Sequence, residues 1–544
     1  MLWTLNERID AMGVIYGDNE RFRDLDASEA VWKGLQYDER SYTWAGLDKE
    51  MLKGGSVTVP EAMPARALRS PCVRSGLAGQ MVSRFTDLLF GIERTPRLIV
   101  EGDADSTDWL EAACNQAELW AIMNQARNFG GGMGTAVVVV WLQEGEYYAE
   151  ALNPKWCYPT WEDKSQFVLS ELEVRYQYPQ ETRGAEGRLE KKWFWYRRLI
   201  SATSDTVWRD IPVNKEKGLP SNWGKPEREI LHSLGFCPAV WIQNEACEGQ
   251  IDGVSDFDGQ EESLETLDYV LSDLASGTMA NLDPTLVIKA NRKAMRDGGG
   301  AVETGSHTAL FVGDGGDAKL LELSGSAAEA GMKTVTVLRS VILEACSCVL
   351  IDPEKVTGLG QGKDLMESLY RPMLQRAGTL RLLYGRGIQR LSQMILDMGR
   401  LYHGAQIETE TGVERIVIHL PDREETDSDG TVTRYERKLG DGGEIQIVWP
   451  EFFAPSAEDK NKASTIAATL KREYLLRRQT IISYLASYFP VDDIVAELDG
   501  ILSEEAEAAS REQSSMGFGD FMGTTPGTAK ADGEDDAGGE STEG

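Results

Sequence analysis

The chain has 544 residues, a hydrophobic fraction of 41% and a formal net charge of −32. This length predicts two to four domains with a substantial core, and neither a membrane span nor a secretory signal is expected, because the first apolar stretch carries charges and no long apolar run follows. The acidic excess excludes a broad nucleic-acid-binding surface, since such affinity comes mostly from Lys and Arg neutralising phosphates, so any DNA contact must be local or weak.

The first strong patterns are helical. Leu77, Met81, Phe85 and Leu88 lie on one stripe of a helix predicted from about Val73. A second helix is predicted over 106–128, where Trp109, Ala113, Ala117, Trp120 and Met123 recur at spacings of three and four.

The stretch FGGGMGTAVVVVWL, residues 129–142, follows that second helix. Glycines 130, 131, 132 and 134 are compatible with a phosphate-binding loop, but such a loop requires a strand before it and a helix after it. Here the order is helix, glycine turn and then a buried strand at 137–141. The pattern therefore favours a helix cap with a tight turn, and a nucleotide-binding enzyme using the Gly130–Gly134 loop stays as the alternative.

Residues 137–245 predict a β-rich layer of short strands. Two helices with heptad seams follow, and each seam needs a partner helix. The first seam is Leu264, Leu267, Leu271 and Leu274, and the second is Val335, Leu338, Ile342, Ala345 and Val349. Between the two helices, β segments are predicted at 285–291, 308–313 and 318–323.

The segment LIDPEKVTGLGQGKD, residues 350–364, has no periodicity, and a loop of this length is typically functional or disordered. A third long helix is predicted over 364–402, and we expect its arginines to pair with acidic neighbours. A β-hairpin or small sheet is predicted from ERIVIHLP (414–421) and GEIQIVWPEFF (443–453), and a helical region follows. From Ser514 the chain is Gly, Ser, Thr and acid, which predicts disorder.

Candidate chemistry is sparse. The four histidines lie far apart in sequence, the seven cysteines show no zinc spacing, and no catalytic triad or Walker lysine appears. Residues 425–436 partly match a calcium-binding EF-hand loop, but a solvated hairpin turn explains them better. We therefore predict no enzymatic activity, no catalytic residue, no metal site and no cofactor.

The order of elements over about 130–400 resembles the portal proteins of tailed double-stranded DNA bacteriophages. The strings that carry this resemblance are ALNPKWCYPTWED, GFCPAVWIQNEACEGQIDGVSDFDG and LDYVLSDLASGTMANLDPTLVIKAN, followed by VLRSVILEACSCVLIDPEKVTGLGQGKDLMESLYRPMLQRAGTL. The resemblance implies an α+β, multi-domain portal fold with long stem helices, a β-rich wing and clip, and a helical crown.

On that resemblance the chain divides into eight parts. These are the N-terminal wing at 1–255, stem helix 1 at 256–283, the clip at 284–323, stem helix 2 at 324–349, the tunnel loop at 350–363, the C-terminal wing at 364–455, the crown at 456–512 and a disordered acidic tail at 513–544.

The resemblance also implies a function and its partners. It implies that twelve copies form a ring, which is a DNA channel at one capsid vertex. This ring would serve genome packaging by a terminase motor, attachment of head-tail adaptors and genome ejection. The expected partners are further copies of the chain, double-stranded DNA in weak and non-specific transit, the large terminase subunit, a head-tail adaptor, and the major capsid and scaffolding proteins, with no membrane. The expected location is the virion, with the host cytoplasm during assembly. Another ring-forming virion connector is a second alternative.

The residues expected to face the DNA channel come from the second seamed helix and the following loop. They are Lys333, Thr336, Ser340, Glu344 and Ser347 on the helix face opposite the seam, and Lys355, Thr357, Gln361 and Lys363 in the loop.

Overall fold

A computed structural model describes the greater part of the chain. The described residues are 20–37, 71–92, 94–162, 168–183, 189–213, 219–220, 222–247, 250–282, 285–289, 317–321, 325–350, 363–409, 412–426, 432–453, 457–472, 476–485, 498 and 500–503. The chain forms two compact units: unit 1 comprises 1–358 and 369–452, and unit 2 comprises 359–368 and 453–544. The predicted acidic tail at 513–544 and the middle β segment at 308–313 lie outside the described residues.

The described helices of eight residues or more are nine. In chain order they are α1 (Glu20–Trp32), α2 (Leu77–Phe90), α3 (Ala104–Gln116), α4 (Leu119–Met133), α5 (Glu261–Leu282), α6 (Gly325–Ala345), α7 (Lys363–Tyr402), α8 (Ala457–Arg472) and α9 (Arg478–Leu485).

The described strands are short, apart from one long hairpin. In chain order they are β1 (Arg97–Val100), β2 (Thr135–Gln143), β3 (Glu146–Leu152), β4 (Cys157–Trp161), β5 (Leu169–Arg183), β6 (Leu189–Ser201), β7 (Ser204–Trp208), β8 (Ile211–Pro212), β9 (Pro226–Leu231), β10 (Ala239–Gln243), β11 (Thr285–Lys289), β12 (Asp317–Leu321), β13 (Gln406–Thr409), β14 (Gly412–Arg415), β15 (Arg423–Thr426), β16 (Val432–Tyr435) and β17 (Ile445–Val448).

Two antiparallel sheets form the β-rich layer that the sequence predicts. One has the strand order β10-β2-β3, and the other has the order β4-β5-β6-β7-β9, with β8 paired to β6. Val137 and Val139 of β2 pack with Leu172 and Val174 of β5 in a small apolar cluster between the sheets. The fold class is therefore α+β, as predicted.

The main core of unit 1 assembles around the predicted stripe of α2. Met81 and Phe85 are fully buried there, and they join a cluster that includes Tyr384, Ile388 and other inward residues of α7. Because the apolar residues of α7 recur at helical spacing, one side of this 40-residue helix enters the core. The predicted stripe of α2 is confirmed.

The single helix predicted over 106–128 is wrong. The chain breaks after α3, and Glu118 adopts a left-handed conformation with φ of 49° before α4 begins. The continuous apolar periodicity did not reveal this break.

The glycines of FGGGMG lie inside the last turns of α4, and only Gly134, with φ of 84°, makes the turn into β2. The predicted order of helix, glycine turn and strand is thus confirmed, with the first three glycines placed in the helix. Each of those three faces a side chain at close range: a Cβ on Gly130 would overlap Tyr384, one on Gly131 would overlap Arg127 and Asp256, and one on Gly132 would overlap Trp32. The glycines are buried, and their role is close packing.

Within unit 1, helix α1 is held against the segment after β3 by largely buried charges. Lys155 Nζ lies 2.5 Å from Glu29 and 2.6 Å from Asp26. Burial raises the pKa of Glu29, but the ammonium groups of Lys155 and Lys33 together outweigh that effect and hold the pKa below its usual value. The ion pair therefore stabilises the folded chain at pH values above the pKa that Glu29 has in the unfolded chain. This stabilisation is lost as the pH falls through the lower pKa that Glu29 has in the folded chain.

The β segments after α5 and α7 form two-stranded antiparallel pairs. β11 pairs with β12, β13 with β14, and β15 with β16. The strands flanking the EF-hand-like stretch are confirmed as a hairpin, whereas its turn, 427–431, lies outside the described residues. The predicted pairing of 414–421 with 443–453 is wrong, because β17 pairs with β1, some 345 residues earlier in the chain, through Arg97↔Val448 to Val100↔Ile445. Within the described part of the chain, no helix is both long and apolar enough to cross a membrane.

We predict that Gly131→Ala lowers the thermal unfolding midpoint. Its new methyl group would overlap Arg127 and Asp256, and overpacking of this kind typically costs about 1–3 kcal/mol. The matched control is Gly378→Ala in α7, where a Cβ meets nothing within 4 Å. That change should stabilise by up to about 1 kcal/mol through helix propensity. Scanning calorimetry of both variants checks this, and equal midpoints would contradict the packing role of Gly131.

Candidate functional site

Helices α5 and α6 pack against each other along their predicted seams. Leu264 and Leu267 of α5 are buried with Ile342 of α6 in the core of unit 1, and at Gly331 the two helices come so close that a Cβ would overlap Leu274. One seam residue is wrong: Ala345 is exposed, and Cys346, four residues after Ile342, is buried in its place. The helix ends at Ala345, so Val349 lies beyond it.

Four of the predicted channel residues share one face of α6. Lys333, Thr336, Ser340 and Glu344 are all exposed, on the side opposite the seam. Lys333 Nζ lies 2.9 Å from Glu329, one turn earlier, and the Thr336 hydroxyl donates to the carbonyl of Met332 at 2.9 Å. The face is therefore hydroxyl-rich, and Lys333 is neutralised locally.

The other predicted site residues lie elsewhere. Ser347 is not on the helix: it follows the last turn of α6 with a left-handed φ of 53° and is half-buried. Lys363 is the first residue of α7 and not part of a loop. Lys355, Thr357 and Gln361 lie outside the described residues. The structure therefore brings together four of the nine.

Helix α6 has a further exposed stripe that the sequence reading missed. Ala330, Thr334, Val337, Val341 and Ala345 follow one another at spacings of 4, 3, 4 and 4, between the seam and the polar face. Val337 and Val341 are 61% and 53% exposed. We call these five residues the second stripe. The spacing of these residues can be read from the sequence, but the more strongly apolar seam of Val335, Leu338 and Ile342 on the same helix drew the interpretation.

The end of α6 is anchored by a buried ion pair deeper in unit 1. Arg127 of α4 donates from Nη2 to both carboxylate oxygens of Asp256, at 3.1 and 3.0 Å, and both side chains have 0% exposure. Asn244, which follows β10, donates from Nδ2 to the same carboxylate at 3.1 Å. The N–H of Asp256 donates to the carbonyl of Gly131 at 2.8 Å.

Arg376 of α7 joins this cluster to α6. One nitrogen, Nη1, donates to the carbonyl of Cys346 at 2.7 Å and to the carbonyl of Asp256 at 3.1 Å. A polar cavity of about 500 Å³ lies beside it, lined by Ser255, Ser347, Gln375 and Thr379 among others. Arg376 thus holds together the end of α6, the segment before α5 and the middle of α7.

The expected pairing of the α7 arginines with acids is confirmed for some of them. Arg400 lies 3.3 Å from Asp397, and Arg376 lies 3.4 Å from Glu245. Arg381 instead donates to the carbonyl of Pro450 at 2.7 Å and lies over the ring of Phe452. Carbonyl acceptors therefore take part of the role expected of carboxylates.

Nucleophilic and metal-binding groups are not gathered at this site. Burial raises the pKa of Cys346 to about 11 and that of Cys348 to about 12, so both thiols are protonated and unreactive near neutral pH. Among the described residues, no group of three or more His, Cys, Asp or Glu side chains is arranged to hold a metal ion.

We predict that Asp256→Asn strongly lowers the thermal unfolding midpoint. The substitution keeps the side-chain volume but leaves Arg127 buried without a counter-charge, which typically costs about 3–5 kcal/mol. Glu329→Gln is the matched control, because it removes one carboxylate from an ion pair whose side chains are 71–74% exposed. It should change the midpoint little, since exposed pairs contribute little. Similar effects of the two substitutions would contradict the role given to Asp256.

The chain was also compared with known proteins. No protein-family model matches it, and no curated protein sequence does so at a significant level.

Proposed function

We propose that this chain is the portal protein of a tailed double-stranded DNA bacteriophage. Copies of it would form a ring around a channel at one capsid vertex, through which a separate terminase motor drives DNA. The chain itself would act without catalysis, and it would bind the head-tail adaptor, capsid and scaffolding proteins. In this proposal the portal fold has α5 and α6 as the stem and the hairpin β11–β12 as part of the clip.

The observation that carries the proposal is the second stripe of α6. A helix that is apolar on two faces needs two packing partners. The seam has its partner in α5, whereas Val337 and Val341 are more than half exposed. The neighbouring copy of the chain is the partner that a ring would supply, because a head-to-tail contact that closes by rotation repeats identically around it.

The composition of the second stripe suits contact between helices. Ala330, Thr334 and Ala345 are small, and the two valines between them supply apolar area. Small side chains allow two helix backbones to approach closely, as Gly331 already does on the seam side. Each copy of α6 would then pack between its own α5 and a helix of its neighbour.

The polar face of α6 agrees with a conduit. With the second stripe against one neighbour and the seam against α5, Thr336 and Ser340 point to the remaining side. A channel wall must let phosphates slide, and strong neutralisation by Lys and Arg would hold them. Hydroxyl groups and the locally paired Lys333 satisfy this requirement, and the net charge of −32 acts in the same sense.

We predict that V337E/V341E prevents ring assembly. The two carboxylates would be desolvated in the contact between copies, and an unpaired buried charge is costly. The control is T336E/S340E, which adds the same charge to the neighbouring polar face and should leave rings intact. Mass photometry and negative-stain images of both variants and the parent protein check this.

The parent protein should form rings of about twelve copies. A monomeric parent protein would contradict the portal proposal. Intact rings from V337E/V341E would show that the second stripe is not the contact between copies.

A further inference from the structure

A cavity of about 1060 Å³ lies beside α1 in unit 1. Its walls include α1, the segment 250–258 and the first turns of α5. Among the described residues that line it are one cation, Arg21, and six carboxylates. The carboxylates are those of Asp24, Asp252, Asp258, Glu261, Glu262 and Glu265. We call this space the acidic cavity.

The cation in this lining is already engaged. Arg21 donates from Nη2 to Asp252 Oδ1 at 3.0 Å, and the same guanidinium donates to the carbonyls of Pro154 and Cys157, each at 3.0 Å. Asp252 also accepts the hydroxyl of Thr135 at 2.9 Å. Arg21 and Asp252 therefore balance each other, which leaves the acidic cavity with an excess of negative charge.

The start of α5 explains part of this charge. Glu261 and Glu262 are in the first turn of α5, where carboxylates are favourable beside the positive end of the helix dipole. Glu265 is one turn further along, and like charges at this spacing repel each other. Burial raises the pKa of Glu261, and the carboxylate of Asp258 adds to this effect. The ionised form of Glu261 is therefore disfavoured, and a cation in the cavity would favour it.

Two buried polar groups at the cavity have no hydrogen-bond partner. They are Gln36 Oε1 and Ser255 Oγ, on residues that are 8% and 5% exposed. The Tyr37 hydroxyl donates to Asp268 at 2.9 Å, so in the bond between Gln36 and Tyr37 the Gln36 amide nitrogen must be the donor. The carbonyl oxygen of Gln36 is then left to accept from the cavity. Because an unsatisfied buried acceptor is unfavourable, the cavity favours a ligand that carries N–H groups.

A metal ion does not fit this arrangement. The cavity is far larger than an ion, and within the described part of the chain no three His, Cys, Asp or Glu side chains are placed to hold one. Glu261 and Glu265 are one helical turn apart, and residues at this spacing have their Cβ atoms about 5–6 Å apart. Two ammonium groups joined by three or four methylene groups have a similar separation. A flexible chain with several ammonium groups therefore matches both the carboxylates and the free acceptors.

We propose that the acidic cavity binds an organic polyamine. Its ammonium groups pair with the carboxylates of α1 and α5 and donate hydrogen bonds to Gln36 and Ser255. The ligand bridges α1 and the start of α5, so it stabilises the folded chain by mass action. All of these residues belong to unit 1 of a single chain, so the inference depends neither on ring formation nor on DNA.

The experiment is calorimetric titration of spermidine into the full chain at about 150 mM salt, which screens the general attraction of cations to an acidic surface. The parent protein should bind one equivalent per chain, and its thermal unfolding midpoint should rise with spermidine concentration. E261Q/E265Q and D24N/E262Q should each weaken binding about fivefold or more, because each removes two charge pairs with the ligand. Asp24 and Glu262 are exposed, so D24N/E262Q decides the matter if E261Q/E265Q disturbs folding.

The matched control is E227Q/E229Q. It removes the same number of carboxylates from β9, where both side chains are exposed. This variant should bind spermidine like the parent protein.

Three results would overturn the proposal. The first is a lack of saturable spermidine binding by the parent protein up to about 1 mM. The second is equal affinity in the control and in both cavity variants, because binding would then not involve the cavity. The third is displacement of spermidine by an equal concentration of Mg²⁺, because the site would then recognise positive charge and not the polyamine chain.

Discussion

Unit 1 depends on the burial of one carboxylate. Asp256 has no contact with solvent, so its charge must be compensated by Arg127 and its remaining lone pairs by Asn244. These partners come from α4 and from the end of β10, and the backbone of Asp256 adds bonds to Gly131 and Arg376. Four distant parts of the chain are therefore held in one geometry, and Gly131 is required because any side chain there would occupy the space of the ion pair.

The same cluster contacts the end of α6. Carbonyl groups at the end of a helix have no hydrogen-bond donor within the helix. Arg376 of α7 donates a hydrogen bond to the carbonyl of Cys346, so α7 supplies the donor that the end of α6 lacks. The hydroxyl-rich face and the second stripe of α6 are thus displayed on a helix that is anchored at one end in the core. In the proposed ring, a rigid attachment of this kind would let contacts between neighbouring copies set the width of the channel.

The spacing of apolar residues in the sequence predicted those parts of the fold that depend on which face of a single helix is buried. The stripe of Leu77, Met81 and Phe85 and the seam of Leu264 and Leu267 are both buried as expected, because amphipathic spacing reports which side of a helix enters a core. The break at Glu118 could not be predicted, because the apolar spacing continues across it while the backbone turns. The exposed polar face of α6 was predictable for the same reason as its seam, whereas Ser347 was misplaced because the helix ends two residues before it. Arg127 and Asp256 are 129 positions apart, and no pattern in the sequence around either residue indicates that the two form an ion pair.

The pairing of β1 with β17 bears on how each copy is made. Val100 cannot pair with Ile445 until all the residues between them have been synthesised, and Tyr384 of α7 must reach the glycines of α4 before the core closes. Contacts between residues so far apart slow folding, because the intervening chain must be ordered before they form. A nascent chain therefore cannot complete unit 1 until β17 has been synthesised. A chain that stops before β17 therefore lacks the β1–β17 pair, and one that stops before α7 also lacks the Arg376 contact with the end of α6.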